Sequence, residues 1–232
     1  IANSEKIIME EYQFIGKSLY FPNQEILVFG DLHLGFDSLL KEAGVGIPWN
    51  QIEETKKELE KIFSYLEKNK LEIKKIIILG DLKHLFSYNK GEKFDIYDFF
   101  KFLENYVSSE DIILVKGNHD TFSLTNHPLW EYYVVDDIAF THGHKLFFPI
   151  LDKKIKTIVL GHIHPSITIS EKKGSKKEKF KVFLKGGWNG KEVIIIPSFF
   201  QLIEGTDFYS YEKEELDNVR NFDNLALISE HP

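Results

Sequence analysis

Seven short apolar runs recur along the chain: ILVF (26–29), IIIL (76–79), IILV (112–115), IAF (138–140), TIVL (157–160), VFL (182–184) and VIII (193–196). They are rich in β-branched residues and do not alternate with polar ones, which is the pattern of strands buried on both faces. Between the early runs the period changes. In NQIEETKKELEKIFSYLEK, Ile52, Leu59, Ile62, Phe63 and Leu66 share one helical face. Asn50 is placed to cap that helix, with Glu53 three residues on. FDIYDFFKFLENYV predicts a second, aromatic-rich helix. The order strand–helix–strand–helix–strand predicts an α/β first half with parallel strands. After Asp136 the strands come closer together with less helix between them, which predicts a second, more antiparallel sheet. No internal repeat and no Pro- or Ser-rich linker interrupts the pattern. The expectation is one domain over residues 1–232, two packed sheets with helices outside.

Composition narrows the class. Apolar residues make up 43% and aromatics 14% of 232 residues, enough for a sizeable core. No apolar run approaches the ~20 residues that a membrane helix needs. The opening IANSEKIIMEEYQ lacks the apolar centre of a signal peptide. Cysteine is absent, which excludes disulfides, thiolate metal sites and cysteine nucleophiles and leads us to expect a cytoplasmic protein. Many Lys, Glu and Ile with a single Met point to a thermophile.

The net charge of −7 does not describe a general nucleic-acid binder, but it is unevenly spread. Residues 145–191 hold twelve lysines against Asp152, Glu171 and Glu178, a local charge of +9 that leaves −16 for the rest. A basic segment on an acidic body can steer a polyanion. Alternatively, EKKGSKKEKFK is a solvated loop that keeps a hairpin soluble.

The polar residues that follow the strands carry the chemistry. After ILVF comes GDLH, with Asp31 and His33; after IIIL comes GDLKH, with Asp81 and His84. After IILVK comes GNHD, with Asn118, His119 and Asp120. After IAF comes THGH, with His142 and His144, and after TIVL comes GHIH, with His162 and His164. Seven of the nine histidines fall in these five loops, and only His127 and His231 lie outside. Ligands of open α/β sheets collect beyond the carboxyl ends of the strands. Carboxylate, imidazole and one amide, without sulfur, suit Mn²⁺, Fe, Zn²⁺ or Ni²⁺. Asp31, His33, Asp81, Asn118, His142, His162 and His164 are too many for one ion and, shared through a bridging carboxylate, serve two. Two ions ~3.5–4 Å apart can hold a bridging hydroxide for in-line displacement at phosphorus.

This ordered set resembles the calcineurin-like metallophosphoesterase superfamily, whose pattern reads D-x-H, G-D-x-x-[D/N/H], G-N-H-[D/E], H and G-H-x-H. The match runs from Asp31 to His164. GDLKH is similar to the double-strand-break repair nuclease branch, where a His also ends the motif. The tail IIIPSFFQLIEGTDF and the length resemble the ICC-like, SbcD-related phosphoesterases of prokaryotes. The resemblance implies an α/β fold, a four-layer αββα sandwich of two mixed sheets, with a two-metal site at one edge. It implies one ion on Asp31, His33, Asp81 and His164 and the other on Asp81, Asn118, His142 and His162, with Asp81 bridging.

His119 is then the general acid for the leaving oxygen. Asp120 is expected to orient it by accepting the second ring N–H, or to cap the next helix. His84 contacts substrate phosphate or packs behind the ligands, and His144 is expected behind them. The repair nucleases carry a further cap domain and a partner-binding segment, and the roughly seventy residues after GHIH are too few for both. The activities expected are a Mn²⁺-dependent phosphodiesterase on DNA or RNA, assisted by the Lys-rich 145–191 segment, or a phosphoesterase for small molecules such as cyclic nucleotides. A catalytically silent, metal-bound scaffold is the third reading, and the filling of every motif position speaks against it.

Overall fold

Alternation inside the apolar runs sorts each strand's side chains between two layers. The computed structural model describes residues 11–46, 50–84, 90–120, 127–170, 177–202, 204–208 and 223–229. Its first sheet is ordered β1 (Gln13–Ile15), β2 (Ser18–Phe21), β3 (Ile26–Phe29), β4 (Lys75–Leu79), β5 (Ile112–Val115) and β6 (Leu129–Trp130). Pairing is antiparallel from β1 to β3 and parallel from β3 to β6. After the short helix α1 (Phe36–Glu42) come α2 (Gln51–Lys68) and α3 (Lys90–Leu103), and Leu27, Phe29, Ile76, Ile78, Ile112 and Leu114 face these two. Their alternates, Ile26, Val28, Ile77, Leu79, Ile113 and Val115, face the second sheet. Helix α2 follows the expected pattern, α3 covers only 94–103 of the expected 94–107 and begins earlier, at Lys90, and Asn50 Oδ1 caps α2 by accepting from the Glu53 N–H at 3.3 Å.

The second sheet is ordered β13 (Thr206–Asp207), β10 (Pro165–Ser170), β11 (Lys177–Trp188), β12 (Lys191–Ile195), β9 (Thr157–Leu160), β8 (Ile138–Thr141) and β7 (Tyr133–Val135), with β14 (Asp223–Ser229) also paired to β11. Its β7–β8, β10–β11, β11–β12 and β11–β14 pairs are antiparallel, while β8–β9–β12 and β10–β13 are parallel. Ile138, Phe140, Val159, Phe183 and Ile194 meet the first sheet. Ala139, Ile158, Val182, Leu184, Val193 and Ile195 form the outer core. Among the described residues the 3₁₀ turn Phe148–Leu151 and the side chains of Tyr132, Phe147 and Trp188 pack there. The αββα order of layers holds, with a thin fourth layer. Strands β1, β2, β6, β7, β10, β13 and β14 are absent from the sequence reading: β1, β2, β6, β7 and β13 span only two to four residues, β10 alternates polar with apolar residues, and β14 carries a single β-branched residue.

The stretch PSFF (197–200) is core. Phe199 packs against Phe29 with ring centroids 5.4 Å apart, and Phe200 is buried beside Phe36. In the stretch LFFPI (146–150), Ile150 is buried and Phe148 is 83% exposed. No helix among the described residues is long and apolar enough to cross a membrane.

Candidate metal centre and active site

Parallel pairing brings the five polar loops to one edge. Leu79 sits opposite Val115, and Thr141 opposite Leu160, so the chain leaves β4, β5, β8 and β9 in register. Backbone bonds then tie the loops together. Asp31 N–H donates to Gly80 O at 3.0 Å, and His33 N–H to Asp81 O at 2.8 Å. Five candidate ligands, Asp31, His33, Asp81, His162 and His164, adopt positive φ between 46° and 66°. Such backbones cost on the order of 1–3 kcal/mol each and persist where the surroundings over-determine them. Close approach adds a second constraint. A Cβ on Gly117 would lie 2.1 Å from Asp81 Oδ1, so only glycine fits before Asn118.

Three clusters of donor atoms result, each within 4.8 Å: Asp31, His33 and His164; Asp81, His142 and His162; and His33, Asp81 and His119, which links the first two. In the second, His142 Nε2 lies 3.1 Å from Asn118 Oδ1, 3.1 Å from His162 Nδ1 and 3.3 Å from Asp81 Oδ2. Ligands about 2.1 Å from one ion at right angles stand about 3 Å apart. His142 Nδ1 donates to Leu79 O at 2.8 Å, which fixes Nε2 as its ligating atom. In the first cluster His164 Nε2 lies 3.1 Å from Asp31 Oδ1. Asp31 Oδ1, His164 Nε2 and both ring nitrogens of His33 are buried and have no hydrogen-bond partner among the described residues. Buried polar atoms are rarely left so, and convergent orphans of this chemistry fit a divalent cation. Asp81 Oδ2 faces both the first and the second cluster, 3.9 Å from His33 Nε2 and 3.3 Å from His142 Nε2.

The protein groups alone set a divided electrostatic field. Burial lowers the His33 pKa to about 4, against the pull of Asp31 and Asp81, so its ring is neutral and ready to ligate. Burial opposes ionisation of Asp81, yet contact with His142 holds its carboxyl well below the usual range. His142 is raised to about 9: burial works against its charge, and Asp81 and Asp31 outweigh it. Burial, with the neighbouring His142, lowers His162 and His144.

The remaining expected residues divide. The His119 N–H donates to Asp81 Oδ1 at 2.9 Å, and its ring stands 5.1 Å from that of His33. Its Nδ1 donates to the carbonyl of His84 at 2.8 Å. The expectation that Asp120 accepts that ring proton is therefore corrected. Asp120 is buried, and its carboxylate instead accepts from the N–H of Gly117 at 3.0 Å and of Lys83 at 3.5 Å. The turn's own backbone takes the carboxylate first, and burial raises its pKa. Its alternative role as a cap for residues 121–126 lies outside the described residues. The His84 ring sits edge-on to Phe36 at 4.7 Å and near His33 and His119. The His144 ring stands 5.3 Å from that of His142 and 6.3 Å from that of His162.

Sequence reading missed the residues that hold this edge. Gln51, buried at the start of α2, donates to Leu32 O at 3.0 Å and His33 O at 2.9 Å and accepts from Phe36 N–H at 3.0 Å. Ser198 Oγ donates to Asp31 O at 3.1 Å. A buried-facing amide inside an amphipathic helix start was the available signal for Gln51.

The Lys-rich segment also reads differently in space; residues 171–176 of it lie outside the described residues. Lys145 pairs with Glu131 at 2.8 Å, Lys156 with Asp137 at 2.7 Å and Lys185 with Glu192 at 2.7 Å. Lys179, Lys181 and Lys191 donate to backbone carbonyls.

The arrangement can hold divalent metal at the edge of a two-sheet sandwich. The model of the calcineurin-like phosphoesterase family matches residues 25–212, so the chain belongs to that family of hydrolases acting on phosphoester bonds. Among solved structures it is similar to the Pseudomonas putida nuclease MPE, with a TM-score of 0.58 and 19% identity over 85% of this chain and 91% of that one. At that identity the likeness speaks to the fold. No curated protein matches the chain in sequence.

Proposed function

We propose that the chain is a two-metal phosphodiesterase of nuclease type, acting on DNA or RNA. The observation that carries this reading is Asp81 Oδ2, facing His33 on one side and His142 on the other. Asp31, His33, Asp81 and His164 would hold one ion, and Asp81, Asn118, His142 and His162 the other. Two divalent ions supply Lewis acidity toward a phosphoryl oxygen and acidify a water for attack, and Mn²⁺ suits this donor set. The His84 carbonyl keeps the Nδ1 proton on His119, so Nε2 is the atom that gives a proton to the leaving oxygen. Asp120 holds the Gly117 turn and the Lys83 N–H, and thereby the placement of Asn118 and His119.

A second reading, a phosphodiesterase for small molecules such as cyclic nucleotides, draws support from the lysines of 145–191 that are engaged within the protein. Cleavage of labelled single-stranded DNA with Mn²⁺, beside a chromogenic phosphodiester and the His119→Ala protein, separates the two. DNA cleavage that falls steeply with salt supports the nuclease. Hydrolysis of the chromogenic diester without DNA cleavage moves the substrate to small phosphodiesters, and no hydrolysis of either overturns both.

A further inference from the structure

All three residues of the first cluster touch two short stretches, 197–200 and 204–207. Asp31 O accepts from Ser198 Oγ at 3.1 Å and from Phe200 N–H at 3.1 Å. The Phe200 ring lies 5.9 Å from that of His33. His164 O accepts from Thr206 N–H at 2.7 Å, beside Gly205, where a Cβ would lie 2.2 Å from that same oxygen.

Two lysines on one face of β11 reach these stretches. Lys181 Nζ donates to Ser198 O at 2.8 Å and to Phe200 O. Lys179 Nζ donates to Gly205 O at 2.8 Å and lies 3.9 Å from Glu204. No such contact reaches the second cluster from β11 among the described residues. We infer that Lys179 and Lys181 are positioning residues that clamp these stretches and so set the affinity of the first ion site alone. Charge-assisted bonds to carbonyls are strong, and groups that orient ligands typically change metal affinity by about 10- to 100-fold. The inference rests on the two-ion reading.

The test is Mn²⁺ binding by calorimetry and by electron paramagnetic resonance, with thermal unfolding of each protein alongside. Wild type should bind two ions. Lys181→Met and Lys179→Met should each weaken one by about 10-fold or more and leave the other unchanged. Lys181→Arg should restore most of the loss. Lys185→Met, which removes a lysine of the same strand paired to Glu192, should change neither. Ser198→Ala provides the same readout where Lys181→Met does not fold. Equal weakening of both sites, or none in a folded variant, overturns the inference. A wild type that binds a single ion overturns the two-ion reading instead, and the clamp then stands only if the lysine variants weaken that ion.

Discussion

The two halves of the proposed metal centre are held by different means. Around Asp81, His142 and His162 the work falls to strand ends and close backbone approach: the Leu79 carbonyl fixes His142, and Gly117 lies against Asp81. Around Asp31, His33 and His164 backbone bonds to Gly80 and Asp81 are joined by remote side chains: the Gln51 amide, the Ser198 hydroxyl and the Phe200 ring. Both halves follow strand ends, and the first adds segments laid over the sheet. The lesson is that register brings ligands together, and that ligands farther out on a loop draw extra partners from elsewhere in the chain.

The largest test of this contrast removes what the halves share. Asp81→Asn should lose both Mn²⁺ ions, counted by mass spectrometry after desalting, and lower kcat/KM by about 10⁴-fold, since metal ions stabilise the transition state by several kcal/mol. His119→Ala should lower kcat by about 100- to 1,000-fold on a diester with an alkoxide leaving group and keep both ions. With a nitrophenolate leaving group, which departs without a proton, the loss should shrink to a few-fold. An equal loss on both substrates would remove His119 from the proton step.

Glycine substitutions separate the halves further. Gly117→Ala pushes on the shared Asp81 and should weaken both ions, while Gly205→Ala pushes on the His164 carbonyl and should weaken one. Overpacking of this kind costs about 1–3 kcal/mol. Gln51→Leu should cost about 1–3 kcal/mol in stability, read from denaturant unfolding, because it leaves Leu32 O, His33 O and Phe36 N–H without their partner. Its effect on metal affinity should again fall on one ion.

The parts legible in the sequence were those written locally. Unbroken β-branched runs mark the central strands, and each ligand follows its strand within a few residues, as Asp31 follows Phe29 and Asp81 follows Leu79. Contacts between distant segments leave no such mark. Nothing around Ser198 announces that its hydroxyl meets Asp31, 167 positions away. A lysine in a basic run looks the same whether it meets solvent or, as Lys181 does, two carbonyls. Adjacency misled once, at Asp120: its neighbour His119 was the obvious partner, and the N–H of Gly117 took the carboxylate instead.

The register that gathers the loops has a consequence for the whole molecule. Asp31, His33 and Asp81 follow strands of one sheet, and His142, His162 and His164 follow strands of the other. Each of the first two clusters therefore draws on both sheets, and a cation bound in either acts as a rivet across the sandwich. Binding to the folded form alone stabilises it by ~2.7 kcal/mol at a hundred times the dissociation constant. Chelation should thus lower the melting temperature as well as stop turnover, and the wear-out temperature of the enzyme becomes a function of the metal supply around it.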